Sequence, residues 1–469
     1  MSAALAVVVP WGLLALFLYR ARKARIFLLG IPFLMFQNLA VFFNNARLFW
    51  VPGRLEPVDH TMIWLVIVWV VFFDFPLPAR RRAGRGPRVF GPALSSPEEF
   101  VLIGIAALAT LELPLTVLRF GAIGPALGEA KGFIYLFVGY FLLRGMLCQA
   151  SRKDIIDLVT SLVVVNTIAA GLFFLHQGLH LPIYAGVSEY ATFAFGGQQL
   201  TRSFYFMPQL LALSLAFCFA KPKWGLFWTA ALVVNLAALW VSYTRGLIVI
   251  AAVELVVVLG VRILKAHQAG RAVRRALTIG AIVVIVGTVA FVALPTESQY
   301  FASRIAQTNE TGAVTGDRNM QNRSRKMQRI YSAISAESVV LGQGYAAPGQ
   351  EATADDIYWM SADVVWVPVL YRLGLLGVAG FIIVYGLCGW RALRLSLRGS
   401  GDAEFLALVI LAALVGQLLN GMTSWTVLDP ARYPMGLWLF ALLAAETCRR
   451  RAVGTAAVSV ADQESRIGV

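Results

Sequence analysis

Apolar residues in this chain come in long, nearly unbroken blocks of Val, Leu, Ile, Ala and Phe, separated by short polar segments. About twenty consecutive apolar residues carry a helix across a bilayer. Blocks of that kind fall at 3–19, 26–43, 61–77, 98–118, 132–149, 155–175, 205–220, 225–243, 246–262, 276–295, 364–389, 403–422 and 433–448. The pattern predicts an all-α fold: a polytopic helical membrane protein of about thirteen transmembrane helices, forming one membrane domain over 1–469. Long alternating apolar and polar segments are missing, which excludes an outer-membrane barrel.

Composition agrees. Hydrophobic residues make up 59% of the 469 and charged residues only 14%, with mean hydropathy +0.72, whereas ordinary soluble domains carry about 25% charge. The polar segments sort by sign. "RARKAR" (20–25), "RRRAGRGPR" (80–88), "SRKD" (151–154), "KPK" (221–223), "RILKAHQAGRAVRR" (262–275), "RALRLSLR" (391–398) and "RRR" (449–451) are basic, and the short segments between them are not. Positive loops stay cytoplasmic, so the N-terminus is expected outside and the tail 449–469 inside. No basic residue precedes the first apolar block, so that block is expected to remain as a span and not to be cleaved as a signal peptide. The net charge of +15 is then a matter of topology and of anionic lipid headgroups, and no nucleic-acid partner is expected. Cys148, Cys218, Cys388 and Cys448 lie in or beside spans at no metal-ligand spacing, and read as small apolar fillers.

One segment departs from this order. Alternation places 296–363 outside as a large extracytoplasmic loop, yet Arg318, Arg323, Arg325, Lys326 and Arg329 crowd a short part of it. Long loops translocate regardless of charge, which permits the cluster without explaining it. The stretch 318–338 has no Pro or Gly and reads as a short helix in the loop, with Arg318, Arg325 and Arg329 near one face. Two more arginines belong to the same membrane boundary: Arg202 before the seventh span, and Arg245 in the turn between the eighth and ninth. A single interfacial Arg is an ordinary snorkelling anchor. The loop cluster alone reads equally as a solvated, salt-bridged amphipathic helix, but three sources at one level look more like a cationic cup suited to phosphate, which guanidinium groups grip bidentately.

The order of these pieces resembles the O-antigen ligase and Wzy-type polymerase superfamily of polytopic membrane glycosyltransferases. "TRSFYFMPQ" (201–209) is similar to the family's span-opening "R…G-x-F…P-N" segment, and "VSYTRG" (241–246) to its "S-x-S-R-G" turn. "RKMQRIYSAISAESVVLGQGY" (325–345) echoes the loop pattern ending in "G-x-G", and "ADVVWVPVLYRLGLLG" (362–377) has the frame of the segment ending in "G-x-x-G". The likeness covers about residues 95–390. It departs from the family at four points: Asp363 stands where the family has His, Arg372 where it has Glu, Gln209 where it has Asn, and Ile330 or Tyr331 where it has Trp.

The resemblance implies an enzyme of the bacterial inner membrane with its active site on the periplasmic face. The donor would be a saccharide on polyprenyl pyrophosphate, and the acceptor a glycan, a lipid or a protein. Without the family's His, a polysaccharide polymerase is preferred over an O-antigen ligase or a protein O-oligosaccharyltransferase. Arg202 and Arg245 are expected to clamp the pyrophosphate, with Arg318, Arg323 or Arg325 closing over it. Asp363 is the first candidate for the base that takes the acceptor's proton, and Asp355 and Asp356 come next. Tyr358, Trp359 and Trp366 are candidate sugar platforms, and Arg372 and Glu112 candidate substrate contacts. Glu112 stands out because a carboxylate inside an apolar span is expensive and usually functional. No cofactor is expected. Asp355 and Asp356 could hold a divalent ion and His176 and His180 are spaced one turn apart, but metal is not the favoured reading. A secondary transporter or flippase of an anionic or lipid-linked substrate is the alternative from another class; no inverted repeat is visible between the halves. The shape, elongation, division and sporulation type of glycan polymerase is a second enzymatic alternative.

Overall fold

The computed structural model describes residues 2–31, 57–74, 96–120, 123–179, 181, 192–195, 198–201, 225–242, 245–265, 339–345 and 366–421, together with isolated positions between 270 and 334. The expected spans at 205–220 and 433–448, two thirds of 26–43, nearly all of 276–295, and most of the segment 296–363 lie outside these residues.

The helices are α1 (Ser2–Ala21), α2 (Pro57–Val68, continued by a π-helical turn Trp69–Asp74), α3 (Pro97–Phe120), α4 (Ile123–Gln149) and α5 (Arg152–Gly178). They are followed by α6 (Gly225–Trp240), α7 (Arg245–Lys265), α8 (Trp366–Arg398) and α9 (Gly401–Gly421). Among the described residues α3, α4, α5, α8 and α9 are long and apolar enough to cross a membrane, and α1, α2 and α6 carry shorter apolar runs. The departure from helix is a two-stranded antiparallel hairpin, β1 (Thr192–Phe195) and β2 (Gln198–Thr201), in which Phe195 pairs with Gln198.

Each helix takes its place from its buried stripe. On α3, Leu102, Ile105, Ala109, Glu112 and Thr116 are buried at intervals of three and four, one face of a helix, and α3 packs against α8 and α4. Its other face is equally apolar but exposed: Leu111 and Leu118 point outward, Leu118 with 81% of its surface free. Apolar side chains on both faces of a helix suit a lipid surround. Helix α9 lies deepest, with Phe405 to Leu414 buried without interruption, and packs on α7, α8 and α5. Helices α5 and α6 are joined by a polar knot, in which Asn166 Nδ2 donates to Asn235 Oδ1 at 2.8 Å and Asn235 Nδ2 donates to Thr167 Oγ1 at 3.0 Å.

Ion pairs tie the helices together at one end of the bundle. Buried Arg144 of α4 pairs with Glu99 of α3, Arg391 Nη2 of α8 donates to Glu98 at 2.8 Å, and Arg262 of α7 reaches Glu404 of α9 at 2.9 Å. Helices α3 and α9 therefore begin at this end and α4, α7 and α8 finish there, so the far ends of α3 and α8 lie together at the opposite end.

At that opposite end the expected straight span at 364–389 is corrected. Gly374 has φ 63° and ψ −165°, which no helix contains. Trp366 and Tyr385 would sit about 28 Å apart on a straight helix, yet their rings pack with centroids 6.5 Å apart. The 366–373 arm thus doubles back along the 375–398 arm, a re-entrant turn that is tolerated in a membrane where it is buried in protein.

Candidate functional site

The reversal at Gly374 leaves the first N–H groups of the second arm without helical acceptors. A segment from far upstream supplies them. Leu375 N donates to Val339 O at 2.8 Å and Leu376 N to Val340 O at 3.2 Å, while Gln343 N donates to Tyr371 O at 2.6 Å. Residues 339–345, "VVLGQGY", are thereby clasped to the break. The approach is too close for side chains. A Cβ on Gly342 (φ 90°) would lie 2.6 Å from the Arg372 carbonyl and the Gly374 nitrogen, and one on Gly374 would overlap the Val340 carbonyl. Only glycine takes these positive φ values freely.

The same segment reaches across to α3. Tyr345 N donates to Thr116 Oγ1 at 2.9 Å and its hydroxyl donates to Ala109 O at 2.8 Å. That carbonyl adjoins the Thr110 carbonyl, which Pro114 deprives of its helical donor. Phe133 of α4 packs on the Tyr345 ring at 5.8 Å. Burial, with the Glu112 carboxylate adding to it, raises the Tyr345 phenol well above its ordinary pKa, and the Arg372 guanidinium partly opposes them. Gly344 has no Cβ because one would overlap Thr116 Oγ1 and lie 3.4 Å from Glu112 Oε2.

Beneath this bridge lies Glu112, fully buried, with no hydrogen bond to either carboxylate oxygen. The nearest cation is Arg119, whose Nη1 stands 4.0 Å from Oε2 and makes a weak 3.4 Å contact to the Gly342 carbonyl. Arg119 is the last residue of the apolar run of α3 and its side chain is 40% exposed. Arg372, buried to 4%, stands on the other side of the clasp beside Gly374.

Of the residues singled out in the sequence, the structure thus brings Glu112 and Arg372 to one end of the bundle. Trp366 begins the re-entrant arm, with its ring against Tyr385. Arg245 is the first residue of α7, the start of the span that its turn was expected to open. Arg202, Arg318, Arg323, Arg325, Asp355, Asp356, Tyr358, Trp359 and Asp363 lie outside the described residues, as does His180. His176, near the end of α5, has Nδ1 2.8 Å from the Leu181 carbonyl. Among the described residues no three His, Cys, Asp or Glu side chains gather as metal ligands. Sequence reasoning missed Arg119, Thr116 and Tyr345. The signal was present: Glu112, Thr116 and Arg119 are spaced i, i+4, i+7, which is one helix face. No known protein-family pattern matches this chain, and no curated protein sequence is significantly similar to it.

Proposed function

We propose that this chain is a membrane glycosyltransferase of the O-antigen ligase and polymerase type, acting as a polysaccharide polymerase on the extracytoplasmic face of a bacterial inner membrane. Its substrate in this reading is a saccharide linked to polyprenyl pyrophosphate. The anomeric C–O bond to pyrophosphate breaks, and a new glycosidic C–O bond forms to an acceptor hydroxyl. Arg202 and Arg245, with Arg318, Arg323 or Arg325, hold the departing pyrophosphate through donors fixed where negative charge develops. Asp363, or Asp355 or Asp356, takes the hydroxyl proton. No metal is needed when guanidinium groups carry the charge.

One observation supports the reading most. Two separated pieces of the resemblance, the "G-x-G" of 342–344 and the "G-x-x-G" of 374–377, are clasped together through 2.6–3.2 Å backbone hydrogen bonds. They meet beside the charged side chains of Glu112, Arg119 and Arg372. Transfer of saccharide from a polyprenyl-pyrophosphate donor to a glycan acceptor, followed by mass spectrometry on the purified protein in lipid, tests it. Arg245→Ala is expected to slow turnover about 10²–10³-fold. Unchanged turnover in both Arg202→Ala and Arg245→Ala would overturn the arginine clamp, and no transfer by the wild type would overturn the enzyme. A second reading, a transporter or flippase, draws support from the broken helix at Gly374, since discontinuous helices line many transport sites. It requires the lipid-linked saccharide to cross proteoliposome membranes with its bonds unchanged.

A further inference from the structure

The Glu112–Arg119 pair is chemically incomplete. A buried carboxylate ordinarily collects several hydrogen bonds, since leaving it without them is costly. Glu112 has none, although Thr116, one turn away, donates its hydroxyl to the Glu112 backbone carbonyl at 2.6 Å. Arg119 carries five N–H donors, and its described contacts are one long hydrogen bond and one 4.0 Å ion pair. An acceptor without donors thus stands beside a donor with capacity to spare. Their joint complement is a molecule carrying hydroxyl donors next to phosphate oxygens.

We infer that Glu112 and Arg119 form a subsite for a sugar phosphate, with Arg119 on the phosphate and Glu112 on a hydroxyl of the attached sugar. This assignment rests on the glycosyltransferase reading and names the part of its donor that this corner recognises. Access follows from exposure. The half-exposed Arg119 meets phosphate from the solvent side as it stands. Glu112 is covered by Gly342–Tyr345, and the weakest link holding that cover to α3 is the 3.4 Å contact from Arg119 to the Gly342 carbonyl. A phosphate that engages Arg119 competes with that carbonyl, so phosphate binding loosens the cover over the carboxylate that reads the sugar.

The test measures binding of undecaprenyl pyrophosphate, bare and carrying one neutral hexose or N-acetylhexosamine from a panel, to full-length protein in lipid. The proteins are the wild type, Arg119→Ala, Arg119→Lys, Glu112→Gln and Arg245→Ala. Arg119→Ala is expected to weaken both ligands about ten- to hundredfold, and Arg119→Lys less. Glu112→Gln is expected to spare the bare lipid and erase the extra affinity conferred by the preferred sugar. Unchanged unfolding temperatures separate these effects from misfolding, and Arg119→Lys keeps the test valid if the alanine variant is unstable. If the wild type binds the bare lipid and Arg245→Ala weakens it while Arg119→Ala does not, the subsite is refuted and the enzyme reading stands. A sugar that adds nothing across the panel, or a Glu112→Gln loss equal for both ligands, also refutes it. A wild type that binds neither lipid removes the glycosyltransferase reading itself.

Discussion

Gly344 shows how narrowly single positions are set at the clasp. Its φ of 85° is one that L side chains rarely adopt, and a methyl group there would overlap the Thr116 hydroxyl that holds Tyr345. Gly344→Ala is expected to lower stability by about 1–3 kcal/mol, measured as chemical unfolding in detergent. Gly104→Ala on α3, where a Cβ meets nothing within 4 Å, is expected to be neutral or to gain about 0.5–1 kcal/mol. Equal losses at the two sites would refute the steric account. Glu112 was legible in the sequence because a carboxylate interrupts an apolar block. Arg119 was less plain, because an arginine at the end of such a block looks like any interfacial anchor unless its i, i+7 spacing from Glu112 is weighed.

At the scale of elements, the apolar blocks located the helices well. The block at 98–118 became Pro97–Phe120 and that at 403–422 became Gly401–Gly421, since lipid-facing and core-facing residues are both apolar and the helix ends where that composition ends. Helix α4 runs further, from Ile123, because the polar stretch before 132 continues as helix beyond the apolar core. The break in α8 was hidden: "LGLLG" suits a straight helix, and the segment that reverses it lies some thirty residues upstream. The ties between elements are similarly distant. Arg144 and Glu99 are both buried, with Tyr140 Oη 3.3 Å from the same Glu99 oxygen and Ser96 N donating to the other at 3.2 Å. Arg144→Leu alone is expected to destabilise by about 3–5 kcal/mol, since it strands a buried carboxylate. The double variant Glu99→Leu/Arg144→Leu should cost less than the sum of the single changes. Additive costs in a double-mutant cycle would show that the two charges do not depend on each other.

For the whole molecule, the directions of the paired helices decide which residues share an end of the bundle. Lys153, next to the α4–α5 turn, and Asp402, at the start of α9, belong to the ion-paired end, and Val340 belongs to the clasp at the other. In a background without the four native cysteines, an impermeant maleimide applied from one side is expected to label Lys153→Cys and Asp402→Cys together. Val340→Cys should react from the opposite side only. Labelling of all three from one side would break the assignment of the ion-paired end and the clasp to opposite ends. The basic segments carry an expectation for the same experiment, because translocation rules act on charge in short loops: the end that reacts with Lys153→Cys and Asp402→Cys should be the cytoplasmic one.

The clasp also fixes both ends of one interval of the chain. The chain leaves it at Tyr345 and returns at Trp366, so the twenty residues 346–365 run between two fixed anchors. Doubling the length of such a tether costs only about 0.6 kcal/mol in closure entropy. A flexible Gly/Ser insert there should leave the unfolding temperature nearly unchanged and, in the glycosyltransferase reading, abolish sugar transfer, because Asp355, Asp356, Tyr358, Trp359 and Asp363 lie within the same stretch. Changes in the length of this interval would then carry little risk for the bundle, and in a glycosyltransferase of the proposed type new acceptor specificities would be easiest to acquire there.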